Sequence, residues 1–423
     1  MSPALEVPPP ASTAPSDEAS CSAEAAPAGF IGGVLLEQTV NGALHLAQPL
    51  LIARLAGGSL ATAAFFSAFD TAVHMGGSLA AGGPADRFGA RRLLIGATIL
   101  RGASLALIPL LWMRGGLTLG AAMAAYTLDA LARGLSDTAV HALPLELAGR
   151  DGAALDRINA RYELAFDIGA AAGPLLLGAA LLRGAGLFVH AVVAAGFLPA
   201  ALVFALMPRR ARPAALTPRA QRPGGASGGA RRGLRAIADD RVLRTAALGA
   251  AALNLYPLRK LLSAFFAQGV LALPAAAGWI GAAFGVGGAC GALLYARRGG
   301  SGARWIAAGG IGALALALGW IPGTLSPMLA AAFLFALGNV GARLALTRRM
   351  QERTPAGLIG GVTAGARFAA NGVSVLAKAL VGAAFAFGGG PRAAFAAVGA
   401  GLGALALAQF ALAGRWFGTG QSQ

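Results

Sequence analysis

The chain has 423 residues, 57% of them hydrophobic and 12% charged, and its 34 Lys and Arg against 17 Asp and Glu leave a net charge of +17. A soluble globular chain carries about 25% charged residues, so this one has too little polar side chain to cover a water-facing surface, and many membrane spans joined by basic loops fit instead. Apolar runs dominate and the 63 Gly follow no three-residue period, which excludes disorder, collagen and coiled coil.

Residues 1–28 are rich in Pro, Ala and Ser, hold four acids and contain no apolar run, so they read as a disordered cytoplasmic tail rather than a signal peptide. From Gly29 onward, apolar stretches of about 20 residues, long enough to cross the hydrocarbon layer, recur near 30–54, 59–83, 93–113, 116–140, 158–183 and 186–207. After a polar segment they resume near 244–268, 275–296, 304–322, 326–346, 357–388 and 391–414. The pattern predicts an all-α membrane protein of twelve helices, with one six-helix bundle over 29–207 and a second over 244–415. Between them, 208–243 carries nine Arg and almost no apolar content, the composition of a cytoplasmic linker; residues 416–423 form a second cytoplasmic tail. The loops on the linker's side hold 23 Arg and the opposite loops only Arg54, Arg114, Arg183 and Arg392, so the positive-inside rule puts both termini in the cytoplasm. Cys21 and Cys290 lie far apart and support neither a disulfide framework nor a metal site.

After the second span the chain reads Gly82-Gly83-Pro84-Ala85-Asp86-Arg87-Phe88-Gly89-Ala90-Arg91-Arg92. This resembles the loop signature of the major facilitator superfamily, G-x-x-x-D-R-x-G-R-[RK], with Ala90 where the first basic residue usually stands. Gly82, Asp86, Arg87, Gly89, Arg91 and Arg92 are thereby gating candidates: an acid that caps a helix start and pairs with arginines, beside glycines that permit the turn. Span five carries Gly173-Pro174 within Gly169–Gly178, similar to the antiporter motif of this superfamily's exporters, although the last glycine is one place late. Arg133 in span four resembles the arginine the family associates with proton coupling, yet Ser136 and Asp137 stand where glutamine and glycine are expected. Gln351 to Pro355 resembles the loop of the macrolide-efflux and siderophore-exporter branches. In the second half, Tyr295 replaces the aspartate of the repeated loop signature.

Ionisable residues near a helix centre cost about 2.5–3.5 kcal/mol on insertion scales, so each is a functional candidate. At 100° per residue, Glu37, Gln38, Asn41, His45 and Gln48 of span one share one stripe, with Glu37 a protonatable carboxylate. In span two, Asp70 and His74 lie four apart on one face and form a pair able to pass a proton, or else a static pair neutralised by Arg101 of span three. Span four adds Asp129, Arg133, Asp137 and His141 at steps of four; span five adds Glu163 and Asp167. In the second half, Tyr256, Arg259, Lys260 and Ser263 share one arc beside Pro257, where a broken helix lining a cavity is expected. Span eleven lines up Arg367, Asn371, Ser374 and Lys378. Lys260 and Lys378 are the only lysines of the chain, and both fall within spans. Trp112, Trp279, Trp305, Trp320 and Trp416 fall near span ends, as in an aromatic belt, and His190 reads as packed.

The embedded charges are thus acidic in the first half and basic in the second, and a cavity between the halves is expected to be bipolar. Proton coupling is assigned to Glu37, Asp70, His74, Asp129 and Arg133. Substrate contact is assigned to Asn41, His45, Gln48, Arg101, Asp167, Tyr256, Arg259, Lys260, Arg367, Asn371 and Lys378. The resemblance implies a secondary transporter of a bacterial inner membrane, two bundles rocking about a midplane site, exporting a small anionic or zwitterionic metabolite, siderophore- or metallophore-like, against protons. Drug efflux is the alternative within that class, and a membrane-embedded transferase or lipid-handling protein a distant one, since no external loop is long enough to hold a donor substrate. No enzyme activity, cofactor, metal or nucleic-acid partner is expected, a P-loop is absent, and the working partners are a small molecule, protons and lipid, with the chain acting as a monomer.

Overall fold

The computed structural model describes residues 17–81, 84, 87–148, 152–183, 188–208, 234–253, 256–298, 302–354, 359–387 and 391–419. The long helices in them are α1 (Asp17–Leu55), α2 (Leu60–Ala80), α3 (Ala90–Met113), α4 (Leu119–Ala148), α5 (Gly152–Leu182), α6 (Phe188–Leu206), α7 (Arg241–Leu253), α8 (Tyr256–Gly269), α9 (Ala276–Arg298), α10 (Gly302–Gly319), α11 (Leu325–Arg353), α12 (Ile359–Phe387) and α13 (Pro391–Thr419). Every predicted span is helical over its described residues; span seven is described as α7 and α8, residues 254–255 between them lying outside the described residues. Asp240 caps α7, accepting from Val242 N and Leu243 N at 2.7 and 2.9 Å. At its other end, the Leu253 carbonyl accepts from Asn339 Nδ2 at 2.9 Å. Pro257 sits in the first turn of α8, where its missing N–H costs nothing.

Two boundaries differ from the sequence reading. Helix α1 starts at Asp17, inside the expected tail, and continues through Pro27. The linker's described part, 234–243, is not loop throughout: a short helix over 234–239 leads into α7. Residues 209–233 lie outside the described residues.

Among the described residues, seven helices contain a stretch long and apolar enough to cross a membrane by length and composition: 90–113, 164–182, 188–206, 276–295, 302–319, 325–346 and 368–387. Helices α1, α2 and α4 fall short of that measure because they carry the polar stripes; α7 and α8 are each too short alone. The chain is a multi-pass helical membrane protein.

Within the first half α1 packs on α5 and α6, α3 on α4 and α6, and α2 on α4; within the second, α10 packs on α11 and α13, and α9 on α11. The halves meet along α2 with α12 and along α5 with α9. Span two thereby faces span eleven and span five faces span eight, each packing on the counterpart of the other, the geometry of two related bundles about a common axis. Small residues permit these approaches. A side chain at Gly173 would strike the backbone of Thr39, Gly42 and Ala43 in α1, and one at Gly281 would lie 2.7 Å from Pro174 Cβ across the halves. Gly178 and Gly278 meet backbone to backbone.

The apolar core is distributed unevenly along the membrane normal. At the end away from the basic loops, one buried cluster runs through both halves, joining Leu46, Leu51, Phe66 and Leu177 to Phe265, Phe266, Phe284, Phe335 and Phe395. At the basic-loop end there are two separate clusters: Phe30, Leu94, Leu143, Tyr162 and Phe204 in the first half, and Leu243, Ile306, Leu346, Met350 and Val362 in the second. Trp320, expected in an interfacial belt, is buried in the shared cluster, its ring 5.0 Å from that of Phe395 and stacked on it.

Candidate functional site

A cavity of about 190 Å³ lies between the halves, lined by α1, α2, α3, α4, α5, α8 and α12. Its walls include Glu37, Asn41, His45 and Gln48 of the α1 stripe, Asp70 and His74 of α2, Arg101 of α3, Arg133 of α4, and Asn371 and Lys378 of α12. Helical projection thus brought the intended faces together.

The pairing within that set differs from the expectation. Arg101 has no exposed surface. Its guanidinium donates to Glu37 Oε1 at 2.8 Å, to Asp129 Oδ1 at 2.8 Å and to Asn41 Oδ1, so one cation ties three helices. Ser136 Oγ donates to the same Glu37 oxygen at 2.9 Å, and the Phe197 ring covers the guanidinium carbon at 4.4 Å. Each of the three guanidinium nitrogens of Arg101 has a partner, which is what makes a buried ion cluster tolerable. Glu37 and Asp129 are therefore held by a fixed cation, and Asp129 stands behind the cavity wall rather than on it.

Asp70 sits apart from that cluster. One carboxylate oxygen accepts from Arg133 at 2.5 Å and the other from Gln48 Nε2 at 3.1 Å. Arg133 also lies 3.4 Å from His45 Nδ1 and 4.0 Å from Asp129. The expected Asp70–His74 pair is not formed: Arg133 takes the carboxylate, and His74 Nε2 instead faces Asp137 at 3.9 Å. His141 joins that acid from the other side at 3.7 Å and donates from Nδ1 to its backbone carbonyl at 2.7 Å. The alternative partner considered for Asp70, Arg101, is fully occupied elsewhere. Close passage of α2 on α4 at Gly77 and Gly134, where any side chain would strike opposing backbone, makes these contacts possible.

The second half contributes Lys378, 6% exposed, whose Nζ donates across the halves to the Ser67 carbonyl at 3.2 Å and to Thr71 Oγ1 at 2.7 Å in α2. Asn371 lines the cavity two turns away on the same face of α12. The side chains of Tyr256, Arg259, Lys260 and Arg367 lie outside the described residues, as do Gly82 and Asp86. Asp167 is half-buried on α5 and is not part of the cavity wall. Among the described residues no group of three or more His, Cys, Asp or Glu is placed to hold a metal ion.

Of the loop signature, Gly89 has φ of 81°, a conformation that favours glycine, and caps α3. Arg91 reaches the end of α6, donating to the carbonyls of Phe204 at 3.2 Å, Ala205 at 2.5 Å and Met207 at 2.9 Å. Its work is to close a helix C-terminus. Arg87 lies over Phe88 at 5.3 Å, and Arg92 is exposed. Gly173 and Pro174 form the knuckle that packs α5 on α1 and on α9.

Sequence reasoning missed Phe197, Ser67, Phe166 and Leu261, apolar or weakly polar residues with no pattern of their own. It also missed the bond of 2.7 Å between Tyr126 Oη and His190 Nε2, which gives the expected packed histidine a buried partner. Ser136 was legible in principle, since it continues the face of Asp129 and Arg133.

Helices of both halves enclose one charged central cavity. More particularly, the chain has the twelve-helix fold of the solved transporters it matches, the fold that the resemblance of the loop after span two implied. It matches the nucleoside transporter NupG with a TM-score of 0.67, at 13% identity over 92% of this chain and 98% of that one. A variant of the peptide transporter POT matches with a TM-score of 0.71, at 13% identity over 92% and 94%. Among curated proteins, the multidrug efflux pump Tap of Mycobacterium bovis is 32% identical over 226 residues, and Tap of Mycobacterium tuberculosis matches equally, 52% of this chain and 53% of the relative being covered. The chain therefore aligns with about half the length of the curated relatives it matches. No model of a known family matches. These relatives are transporters, not enzymes.

Proposed function

We propose that this chain is a secondary active transporter of a bacterial inner membrane, with both termini cytoplasmic, that exports a small polar anionic or zwitterionic metabolite in exchange for protons. The observation that carries the reading is the contrast inside the cavity between a fixed and an exchangeable ion cluster. Glu37 and Asp129 are held by Arg101. Asp70 shares its carboxylate with Arg133, which has the second acid Asp129 at 4.0 Å as an alternative partner. A proton arriving on Asp70 cancels its attraction for Arg133 and lets the guanidinium turn to Asp129, which is a change of partner without loss of a partner. Asp70 is thus the coupling acid in this reading, Arg133 its responder, and Glu37 a scaffold. With the basic-loop end cytoplasmic, a core shared at the far end and split at the near end corresponds to a cavity approached from the cytoplasm.

The test is uptake into inverted vesicles or proteoliposomes under an imposed pH gradient. Asp70→Asn is expected to abolish gradient-driven transport while leaving substrate binding and exchange; transport that keeps its full dependence on the gradient in that variant overturns the coupling assignment. Drug efflux is the second reading, favoured by the 32% identity to Tap. Resistance to lipophilic cationic drugs conferred by the wild type and lost with Asp70→Asn would select it.

A further inference from the structure

Among the cavity's charges, one is balanced differently from the rest. Arg101 and Arg133 each rest on carboxylates. Lys378 does not: its partners are a backbone carbonyl and a hydroxyl, and among the described residues no carboxylate oxygen lies within ion-pair distance of its Nζ. A buried ammonium carries three donors, of which α2 takes two. Asp70 attracts it only from beyond ion-pair distance, and burying a cation without a contacting counter-charge is costly unless something supplies it. Lys378 lines the cavity together with Thr71, Asn371 and Leu261, so the remaining donor has the cavity within reach.

The same two bonds fasten the halves. Ser67 and Thr71 belong to α2 and Lys378 to α12, one of the two seams along which the bundles meet. One helical turn further from the basic loops, Phe65 packs against Gly382 on the same seam. Whatever draws the ammonium away from α2 loosens that seam at the end where the apolar core is shared.

We propose that Lys378 recognises the acidic group of the transported molecule, and that this anion competes with α2 for the ammonium, so that loading the cavity unfastens α2 from α12. A carboxylate adds the attraction of an opposite charge to the hydrogen bond, which the neutral oxygens of Ser67 and Thr71 do not. The competition thus favours the anion once it reaches the site. Substrate binding and release of the far-end seam become one event, which is what an exporter requires. The assignment of the anion as cargo rests on the transport reading; the contact itself does not.

The chain's lysine content makes the contact directly observable. In full-length Lys260→Arg protein, purified in detergent, Lys378 is the only lysine. Reductive methylation followed by mass spectrometry then reports that amine against the N-terminal amine as an internal control, because only the free amine reacts and a bound anion holds it as the ammonium. Citrate is expected to slow methylation of Lys378 severalfold without affecting the N-terminal amine, whereas chloride at matched ionic strength and tetraphenylphosphonium leave both unchanged. Equal slowing at both amines, slowing by tetraphenylphosphonium, no effect of citrate, or a Lys378 that never reacts would each overturn the proposal. For the seam, Phe65→Cys with Gly382→Cys is oxidised in a background with Cys21 and Cys290 replaced by Ser. Citrate is expected to slow that crosslink, and Lys378→Met to remove the effect of citrate; a citrate effect that persists in Lys378→Met, or a pair that does not crosslink without citrate, rejects the competition. Citrate binding by a protein that transports nothing would sink the transport reading and leave the contact standing. Gradient-driven transport with no citrate effect at Lys378 would do the reverse.

Discussion

The two halves of this membrane protein hold their buried charges in opposite ways. In the first half, four helices contribute Glu37, Asp70, Arg101, Asp129 and Arg133, and the acids and bases satisfy one another within the bundle. In the second, Lys378 finds no acid on a described residue of its own half and reaches across to neutral oxygens of α2. The first arrangement is a closed account of charge, in which every member finds a partner inside the bundle even where, as at Arg133, two acids are within reach. The second is open, and an open charge is available for a ligand.

Arg101→Ala would break the first half most severely, since it strands both Glu37 and Asp129 in the interior. Removing one partner of a buried ion cluster costs about 3–5 kcal/mol, and the expected outcome is loss of the monodisperse peak in detergent size-exclusion chromatography. A variant that stays folded with an unchanged melting temperature would mean the charges are not mutually dependent. Gly173→Val tests the framework that brings the stripes together. Its side chain would collide with the α1 backbone at Thr39, Gly42 and Ala43, and overpacking of this kind costs about 1–3 kcal/mol, read as a lower melting temperature. Arg91→Ala removes the donor to three carbonyls at the end of α6 and is expected to cost about 1 kcal/mol, the scale of a helix-end charge. Lys378→Met is expected to change stability least, because the loss of its two hydrogen bonds, about 1.5–3 kcal/mol each for a charged donor, is offset by no longer burying an ammonium without a contacting acid. A Lys378→Met melt shifted as far as that of Arg101→Ala would erase the distinction between the halves.

Much of this was legible in the sequence. The spans, the basic loops and the cavity-facing stripes on α1, α2 and α12 follow from hydropathy and a 100° step. Which acid meets which base was not legible. Projection fixes a face, yet Asp70 pairs with Arg133 rather than His74 because Gly77 and Gly134 let α2 and α4 touch. Arg101 gathers Glu37, Asn41 and Asp129 because three helices converge on it, an arrangement that depends on tertiary distances alone. Phe197, which covers that guanidinium, is one phenylalanine among 20 and carries no mark in the chain. Helix α1 begins earlier than composition suggests, at Asp17, since the tail's alanines are good helix formers and Pro27 is tolerated.

The shared cluster of Phe66, Phe265, Phe266, Phe284 and Phe335 has a thermodynamic consequence. Parting the halves at that end would wet aromatic and aliphatic surface, and wetting such surface raises heat capacity, by about 0.45 cal/K/mol for each Å². The reorientation step would then have a barrier enthalpy that varies with temperature, and its rate, plotted against inverse temperature, would bend rather than run straight.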